Sequence, residues 1–145
     1  MTVGSIKENI NIERRVAITL ESAKNIIALG LNINLEKNYA NHLGINDKQF
    51  EELGVRFYDS SSEVIDNSRL LLKVNCPSDE EINSLKEKTI LVGIFNPTKN
   101  EIKLKEIIKK NVSIFKLELL KRISRAQSMD VLSSQSNLAG YRAVI

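Results

Sequence analysis

The sequence predicts a doubly wound α/β fold, with a mainly parallel sheet and helices on both of its faces. Short runs of aliphatic and β-branched residues alternate along the whole chain with segments of helical spacing, which is typical of strand-helix-strand units. The runs are almost continuously apolar, as expected for strands that are covered on both faces. We expect six strands, at residues 3–6, 31–35, 55–58, 69–74, 89–95 and 112–117.

Helix start and stop signals support these boundaries. Thr19 is a suitable N-cap for the first helix, and Gly30 follows its last turn. Asp47 and Gly54 bracket a second helix in the same way. Residues 78–81, Ser-Asp-Glu-Glu, form a capping box ahead of a further helix. These helices therefore lie between predicted strands, as crossover connections require.

The lysine-rich segment 99–110 predicts an amphipathic helix. Its apolar side chains recur at helical spacing and define one stripe, formed by Ile102, Leu104, Ile107 and Ile108. Glu101 and Glu106 interrupt the lysines. We therefore interpret the charged side as a solvated helix face, and we expect no nucleic-acid partner.

Composition restricts the class of protein. The 145 residues suit one domain with its own hydrophobic core, and the net charge of +3 is small. No stretch approaches the roughly 20 apolar residues of a transmembrane helix, and no signal-peptide pattern opens the chain, so we expect a soluble, intracellular protein. The single cysteine, Cys76, and the single histidine, His42, do not form a zinc-site pattern. We interpret Cys76 as a packed thiol at a strand end and His42 as a surface residue.

A polar segment follows the last predicted strand. Between Arg122 and Asn137 few residues are apolar, and short hydroxyl and carboxamide side chains predominate. In parallel α/β sheets ligands bind beyond the carboxyl ends of the strands, which is where this segment begins. Polar groups that are buried without partners cost stability. The segment therefore indicates a site that holds a ligand.

Residues 130–145 predict a final helix, with Val131, Leu138 and Ile145 on one face. We expect an α/β domain at residues 1–129, followed by the start of a helix that continues beyond this chain. Gly140 inside this helix costs roughly 1 kcal/mol relative to alanine, which suggests close packing against another backbone.

The stretch from Arg122 to Ile145 closely resembles the NAD(H)-binding alpha subunit of proton-translocating nicotinamide nucleotide transhydrogenases, a family related to the alanine dehydrogenases. Weaker similarity extends over the rest of the chain, at residues 7–8 (Lys-Glu), 13–17 (Glu-Arg-Arg-Val-Ala) and 72–74 (Leu-Lys-Val). The resemblance implies that the final helix connects to a second, dinucleotide-binding domain that is absent from these residues.

The resemblance also implies site residues. The positions that match Arg122, Gln127, Asp130 and Ser133 surround the nicotinamide ring of NAD(H) in the family. Arg122, Gln127 and Asp130 are thus the candidate catalytic residues, and Ser133 joins them in binding the cofactor. A carboxamide such as that of Gln127 can both donate to and accept from a nicotinamide carboxamide, and Arg122 could pair with Asp130 in a fixed geometry. Alternatively, Asp130 and Ser133 only cap the final helix, and Arg122 pairs with an exposed acid.

The chain lacks the Gly-x-Gly-x-x-Gly fingerprint that holds a dinucleotide pyrophosphate. The resemblance accordingly implies that NAD(H) is bound mainly by the second domain. It further implies NADP(H)-binding and membrane subunits as partners, a homodimer, and a cytoplasmic location peripheral to the inner membrane. The implied activity is hydride transfer between NAD(H) and NADP(H), coupled to proton translocation.

Two alternatives remain open. Arg15 and Lys73 match the positions that hold the substrate carboxylate in alanine dehydrogenases, although a surface pair of Arg15 with an acid and a strand-end position for Lys73 explain the two residues equally well. Phe95-Asn96-Pro97 stands where those enzymes carry a histidine acid-base, and amino-acid oxidation requires proton transfer, whereas hydride exchange between nicotinamides does not. The other alternative is a non-catalytic α/β module that uses its polar final helix for docking.

Overall fold

The computed structural model describes residues 1–121 and 123–144. Its strands are Thr2–Ser5 (β1), Asn32–Glu36 (β2), Arg56–Tyr58 (β3), Leu70–Leu72 (β4), Ile90–Gly93 (β5) and Ser113–Lys116 (β6). Its α-helices are Leu20–Ala28 (α1), Asp47–Glu51 (α2), Ser61–Asp66 (α3), Asp79–Ser84 (α4), Glu101–Lys109 (α5) and Val131–Val144 (α6).

These strands form one parallel sheet in the order β3-β2-β1-β4-β5-β6. The chain thus builds outward from β1 in one direction and then, from β4, in the other, which confirms the doubly wound α/β prediction. β3 to β6 are shorter than predicted, whereas β1 and β2 have the predicted lengths with bounds shifted by one residue. Lys73 and Val74, for example, were expected within the fourth strand but follow the end of β4.

Two clusters of buried side chains cover the two faces of the sheet. Along β4, Leu71 belongs to one cluster while Leu70 and Leu72 pack against the other, as the alternation of side chains in a strand requires. α1 and α2 contribute Ala23 and Phe50 to the cluster that contains Leu70 and Leu72. The opposite cluster takes its helical side chains from α3, α4 and α5.

Most of the helix signals are confirmed by the caps. Thr19 and Ser78 each accept a hydrogen bond from the backbone N–H three residues later and have the reciprocal bond of a capping box. Asn46, not Asp47, caps α2. α3 was not predicted from the sequence, although Ser60 and Glu63 form the same reciprocal cap.

Only two of the four residues of the predicted apolar stripe on α5 are buried. Leu104 and Ile107 are buried, but Ile102 and Ile108 are 77% and 62% exposed. Leu104 and Ile107 join the buried cluster that covers one face of the sheet. At 3.6 residues per turn Ile102 lies on the opposite side of the helix from these two residues, which accounts for its exposure.

Two glycines have opposite environments. A Cβ added at Gly93 would lie 2.2 Å from the Lys73 carbonyl oxygen and 2.6 Å from the Phe95 ring. A Cβ at Gly140 would meet nothing within 4 Å in the described part of the chain, so the expected close packing at Gly140 is not found there. No described helix has both the length and the apolar composition needed to cross a membrane.

Candidate functional site

The switch point of the sheet lies between β1 and β4, where the strand order reverses. Open α/β sheets bind ligands in the crevice that this reversal creates at the carboxyl ends of the strands. Here the crevice contains a buried cluster of charged side chains. Lys73 Nζ lies 3.0 Å and 2.8 Å from the two carboxylate oxygens of Glu81 and 3.7 Å from Oε2 of Glu8.

Glu8 ties the segment after β1 to the end of β4. Its Oε1 accepts a 2.7 Å hydrogen bond from the Val74 N–H, and its side chain is only 6% exposed. Burial raises the pKa of the Glu8 carboxyl group, and the neighbouring Lys73 partly counteracts this rise. Lys73 thus faces two carboxylates of its own chain, which compete with any external anion.

Arg15 is also engaged within the chain. Its Nε and its terminal nitrogen donate to the two oxygens of Glu13, at 2.8 Å and 2.7 Å, in a bidentate pair. This hydrogen bonding lowers the pKa of the Glu13 carboxyl group. Arg15 and Lys73 nevertheless border one cavity of about 260 Å³, together with Gly93, Leu117 and Gln135. The ordinary interpretation of Arg15, an ion pair with an acid, is present. Lys73 follows the end of β4, as its ordinary interpretation expects, and the structure adds its pair with Glu81, which was not predicted.

The end of β5 carries Phe95, and no histidine, where the resemblance to alanine dehydrogenases would place an acid-base residue. The Phe95 side chain is fully buried in the core cluster. The N–H groups of Phe95 and Asn96 both donate to Oε1 of Glu118, each at 2.8 Å. Glu118 was not predicted as a functional residue, because its position after the last strand carries no local signal.

Between β6 and α6 the chain forms two short segments of 3-10 helix, Leu117–Leu119 and Ser124–Met129, the second of which belongs to the polar segment. Asp130 precedes α6 directly. Its Oδ1 accepts hydrogen bonds from the N–H groups of Leu132 and Ser133, at 3.0 Å and 3.1 Å. Its Oδ2 accepts a 2.6 Å hydrogen bond from the Ser133 hydroxyl. The capping role that the sequence allowed for Asp130 and Ser133 is therefore present.

The same residues border a cavity. Gln127, Asp130 and Ser133 line it together with Ile123 and Ser124, and its volume is about 260 Å³. We call it the Gln127 cavity. The structure thus brings together three of the four predicted site residues. The fourth, Arg122, and with it the expected pairing of Arg122 with Asp130, lies outside the described residues.

The remaining candidate groups do not add a reactive centre. Cys76 is half-buried against the core, and burial raises the pKa of its thiol, as expected for a packed cysteine. His42 is partly exposed, and its Nε2 lies 2.8 Å from the Arg14 carbonyl oxygen, which fits a residue at the surface. No group of His, Cys, Asp and Glu side chains suited to a metal ion occurs among the described residues.

Comparisons with known proteins show the family of the chain. The chain is 37% identical to an NAD(P) transhydrogenase alpha-subunit protein of Rickettsia prowazekii and 35% identical to the NAD(P) transhydrogenase subunit alpha of Haemophilus influenzae. Both alignments cover 100% of this chain but only 39% and 28% of those proteins. An alanine dehydrogenase of Methanococcus maripaludis is 26% identical over 99% of this chain and 38% of its own length.

Solved structures show the same order of similarity. A crystal structure of transhydrogenase from Sinorhizobium meliloti superposes with a TM-score of 0.92 and 36% identity over 99% of this chain and 43% of its own. An L-alanine dehydrogenase shares the fold, with a TM-score of 0.76 and 18% identity over 81% of this chain and 32% of its own. The family model of the alanine dehydrogenase/PNT N-terminal domain matches residues 4–139. The chain therefore belongs to the alanine dehydrogenase/PNT N-terminal domain family and resembles the transhydrogenase alpha subunits more than these alanine dehydrogenases.

Proposed function

We propose that this chain is the first domain of the NAD(H)-binding subunit of a proton-translocating NAD(P) transhydrogenase. In this proposal Gln127, Asp130 and Ser133, together with Arg122, orient a nicotinamide ring for hydride transfer between NAD(H) and NADP(H). The observation that carries the proposal is the grouping of Gln127, Asp130 and Ser133 around one cavity beyond the carboxyl ends of the strands.

The side chains of the Gln127 cavity suit a nicotinamide carboxamide. Gln127 offers both an amide donor and a carbonyl acceptor, and Ser133 and Asp130 supply a hydroxyl and a carboxylate. The Asp130–Ser133 hydrogen bond and the cap of α6 restrict the orientation of these two groups. When bound, NAD(H) supplies the hydride, and the protein contributes orientation.

The switch point favours hydride exchange over amino-acid oxidation. Oxidation of alanine requires proton transfer, and the buried ring of Phe95 stands where the alanine dehydrogenases carry a histidine for that step. Binding of a substrate carboxylate requires cations, but Lys73 and Arg15 are each paired with glutamates of the same chain. Hydride exchange between two nicotinamides requires neither group.

The proposal assigns the rest of the activity to segments and subunits outside these residues. The chain spans about a third of the length of the transhydrogenase relatives that it matches. A second domain holds most of NAD(H) in this scheme, because the glycine fingerprint of a pyrophosphate-binding turn is absent from residues 1–145. An NADP(H)-binding subunit and membrane subunits complete the complex and attach it to the inner membrane from the cytoplasmic side, and the subunit forms a homodimer.

The test is to assay the full-length protein for both activities. With an NADP(H)-binding partner subunit, we expect it to reduce the 3-acetylpyridine analogue of NAD⁺ at the expense of NADPH. With NAD⁺ and alanine, we expect no rise in NADH absorbance. An alanine-dependent rise that Lys73→Ala abolishes would overturn the proposal in favour of an alanine dehydrogenase. Absence of both activities would support a non-catalytic module instead.

A further inference from the structure

The turn at the end of β5 has the form of an anion-binding site, and the Glu118 carboxylate of the same chain occupies it. Two consecutive backbone N–H groups, those of Phe95 and Asn96, point at the same carboxylate oxygen of Glu118. Asn96 adopts a left-handed conformation, with φ of 45°. Consecutive N–H groups in such a turn concentrate positive potential and bind anions, and bonds to an ionised acceptor are stronger than neutral ones.

The turn after β5 is held by hydrogen bonds of its own. The Asn100 side chain donates to the Phe95 carbonyl oxygen at 2.8 Å, and the Lys99 N–H donates to the Asn96 carbonyl oxygen at 3.0 Å. The Phe95 ring is buried in the core. Glu118 is therefore attached to a fixed point of the sheet.

Glu118 lies between that fixed point and the proposed nicotinamide site. It belongs to the Leu117–Leu119 turn, which contacts α6. α6 has no buried residue among its described positions, so its placement depends on few contacts. A cavity of about 280 Å³, lined by Glu118, Leu117, Val131, Leu132 and Gln135 among others, separates the turn from the first turns of α6. Packing between the Leu117–Leu119 turn and α6 therefore contributes little to holding α6 in place. The hydrogen bonds of Glu118 are then a larger share of what holds this part of the chain.

The second oxygen of Glu118 supports this interpretation. Oε2 is buried and has no hydrogen-bond partner among the described residues. A buried carboxylate oxygen without a partner costs stability. A residue that served only to fill this position would avoid that cost with an apolar side chain. The presence of a carboxylate at position 118 is explained by the hydrogen bonds that its other oxygen, Oε1, accepts from the N–H groups of Phe95 and Asn96.

We propose that Glu118 is a positioning residue, which fixes the Leu117–Leu119 turn to the end of β5 and thereby sets the position of the Gln127 cavity. The kinetic side of this inference rests on the proposed transhydrogenase function, whereas the structural side does not. The alanine dehydrogenases are expected to carry an acid-base group at the position of Phe95 and Asn96. In this chain the backbone N–H groups of those two residues hold Glu118 instead.

The experiment compares Glu118→Ala, Glu118→Gln and, as a control, Glu51→Ala, which removes an exposed carboxylate on α2. Each is made in the full-length protein. Hydrogen exchange without nucleotide is measured for the Ser124–Met129 turn, and transhydrogenation kcat and KM for NADH are measured with the partner subunit.

For Glu118→Ala we expect about tenfold faster exchange in the Ser124–Met129 turn, because local opening no longer breaks two charge-assisted bonds. We expect kcat to fall about tenfold with KM for NADH within about threefold, since alignment is lost while most binding contacts remain. Glu118→Gln keeps an acceptor oxygen and should return both quantities to within about threefold of the unchanged protein, as a neutral acceptor restores part of the interaction.

Unchanged exchange of the Ser124–Met129 turn in Glu118→Ala would overturn the inference, as would a rise in KM with kcat intact. If Glu118→Ala does not fold, Glu118→Leu takes its place, because leucine fills similar space but offers no acceptor oxygen. Exchange of the Ser124–Met129 turn equal to that of Glu51→Ala would then refute the anchor. Failure of the proposed function and failure of the anchor give different results. If only the proposed function is wrong, the unchanged protein shows no transhydrogenation, but Glu118→Ala still exchanges faster in the Ser124–Met129 turn.

Discussion

The Ser133 hydroxyl donates a 2.6 Å hydrogen bond to Oδ2 of Asp130, while Oδ1 of the same carboxylate accepts two backbone N–H groups of α6. Asp130 thus begins the helix and borders the Gln127 cavity at the same time. Capping and cofactor orientation, which the sequence left as alternatives, are both compatible with this geometry. A substitution can separate them.

Asp130→Asn should keep the cap of α6 but slow hydride transfer. Asparagine and aspartate cap helices about equally well, so the melting temperature should change little. The charge that would anchor Arg122 and orient the site is lost, so hydride transfer in the full complex should slow by about tenfold or more. Stopped-flow transhydrogenation at saturating nucleotide is the measurement. An unchanged rate in a folded variant would leave Asp130 with the capping role alone.

Gly93→Ala should destabilise the chain strongly. The new Cβ would lie 2.2 Å from the Lys73 carbonyl oxygen, and that backbone cannot move without disturbing β4. We expect the free energy of unfolding to fall by about 3 kcal/mol, as for other overpacked core positions. Gly140→Ala is the matched control, because its Cβ meets no described atom within 4 Å and alanine favours a helix by about 1 kcal/mol. Urea denaturation of residues 1–145 compares the two, and equal effects would contradict this account.

Tyr39→Phe should loosen the segment between β1 and α1. The buried Tyr39 hydroxyl accepts from the N–H groups of Ala17 and Ile18, at 3.1 Å and 3.0 Å, and lies 2.7 Å from the Ser5 hydroxyl. Phenylalanine would leave these groups without their partner, at a cost of about 2 kcal/mol in unfolding free energy. Tyr58→Phe on β3 serves as the control for removing a hydroxyl, and a similar loss in both variants would argue against the network.

The Tyr39 hydroxyl should also resist ionisation. Burial raises its pKa to about 12. Because a raised phenol pKa favours the neutral form in the folded state, stability should decrease as pH rises above the ordinary tyrosine pKa. The decrease should be absent in Tyr39→Phe, which can be measured by urea denaturation at alkaline pH. The same decrease in both proteins would show that another group is responsible.

Glu13→Gln should reveal the Arg15 pair through its dependence on pH. Hydrogen bonding to Arg15 lowers the pKa of the Glu13 carboxyl in the folded state. Its stabilising contribution is therefore complete above the ordinary glutamate pKa, and it disappears as pH falls through the lowered folded pKa. Since the Arg15 side chain is 45% exposed, the variant should lose only about 1 kcal/mol at neutral pH. Unfolding measured at neutral and strongly acidic pH should show that difference vanish, and a pH-independent difference would refute the assignment.

The doubly wound fold and most helix starts followed from the sequence, because they depend on interactions within a few residues. A capping box such as that of Ser78 and Glu81 spans three positions, and the alternation of apolar runs with helical spacing is readable along one stretch of chain. The polar run after the last strand was also visible in the sequence, because its side chains are close together along the chain, whereas the resemblance to a family singled out Gln127, Asp130 and Ser133 within it.

Only the tertiary structure decided which distant groups meet. Glu8 reaches the Val74 N–H across 66 positions, and Glu118 reaches Phe95 across 23. Which side of α5 packs against the core, so that Leu104 and Ile107 are buried and Ile108 is exposed, is also decided by the tertiary structure. The physical reason is common to these cases: hydrogen bonds and burial at the carboxyl edge are set by the order of strands in space, and that order is a property of the whole sheet.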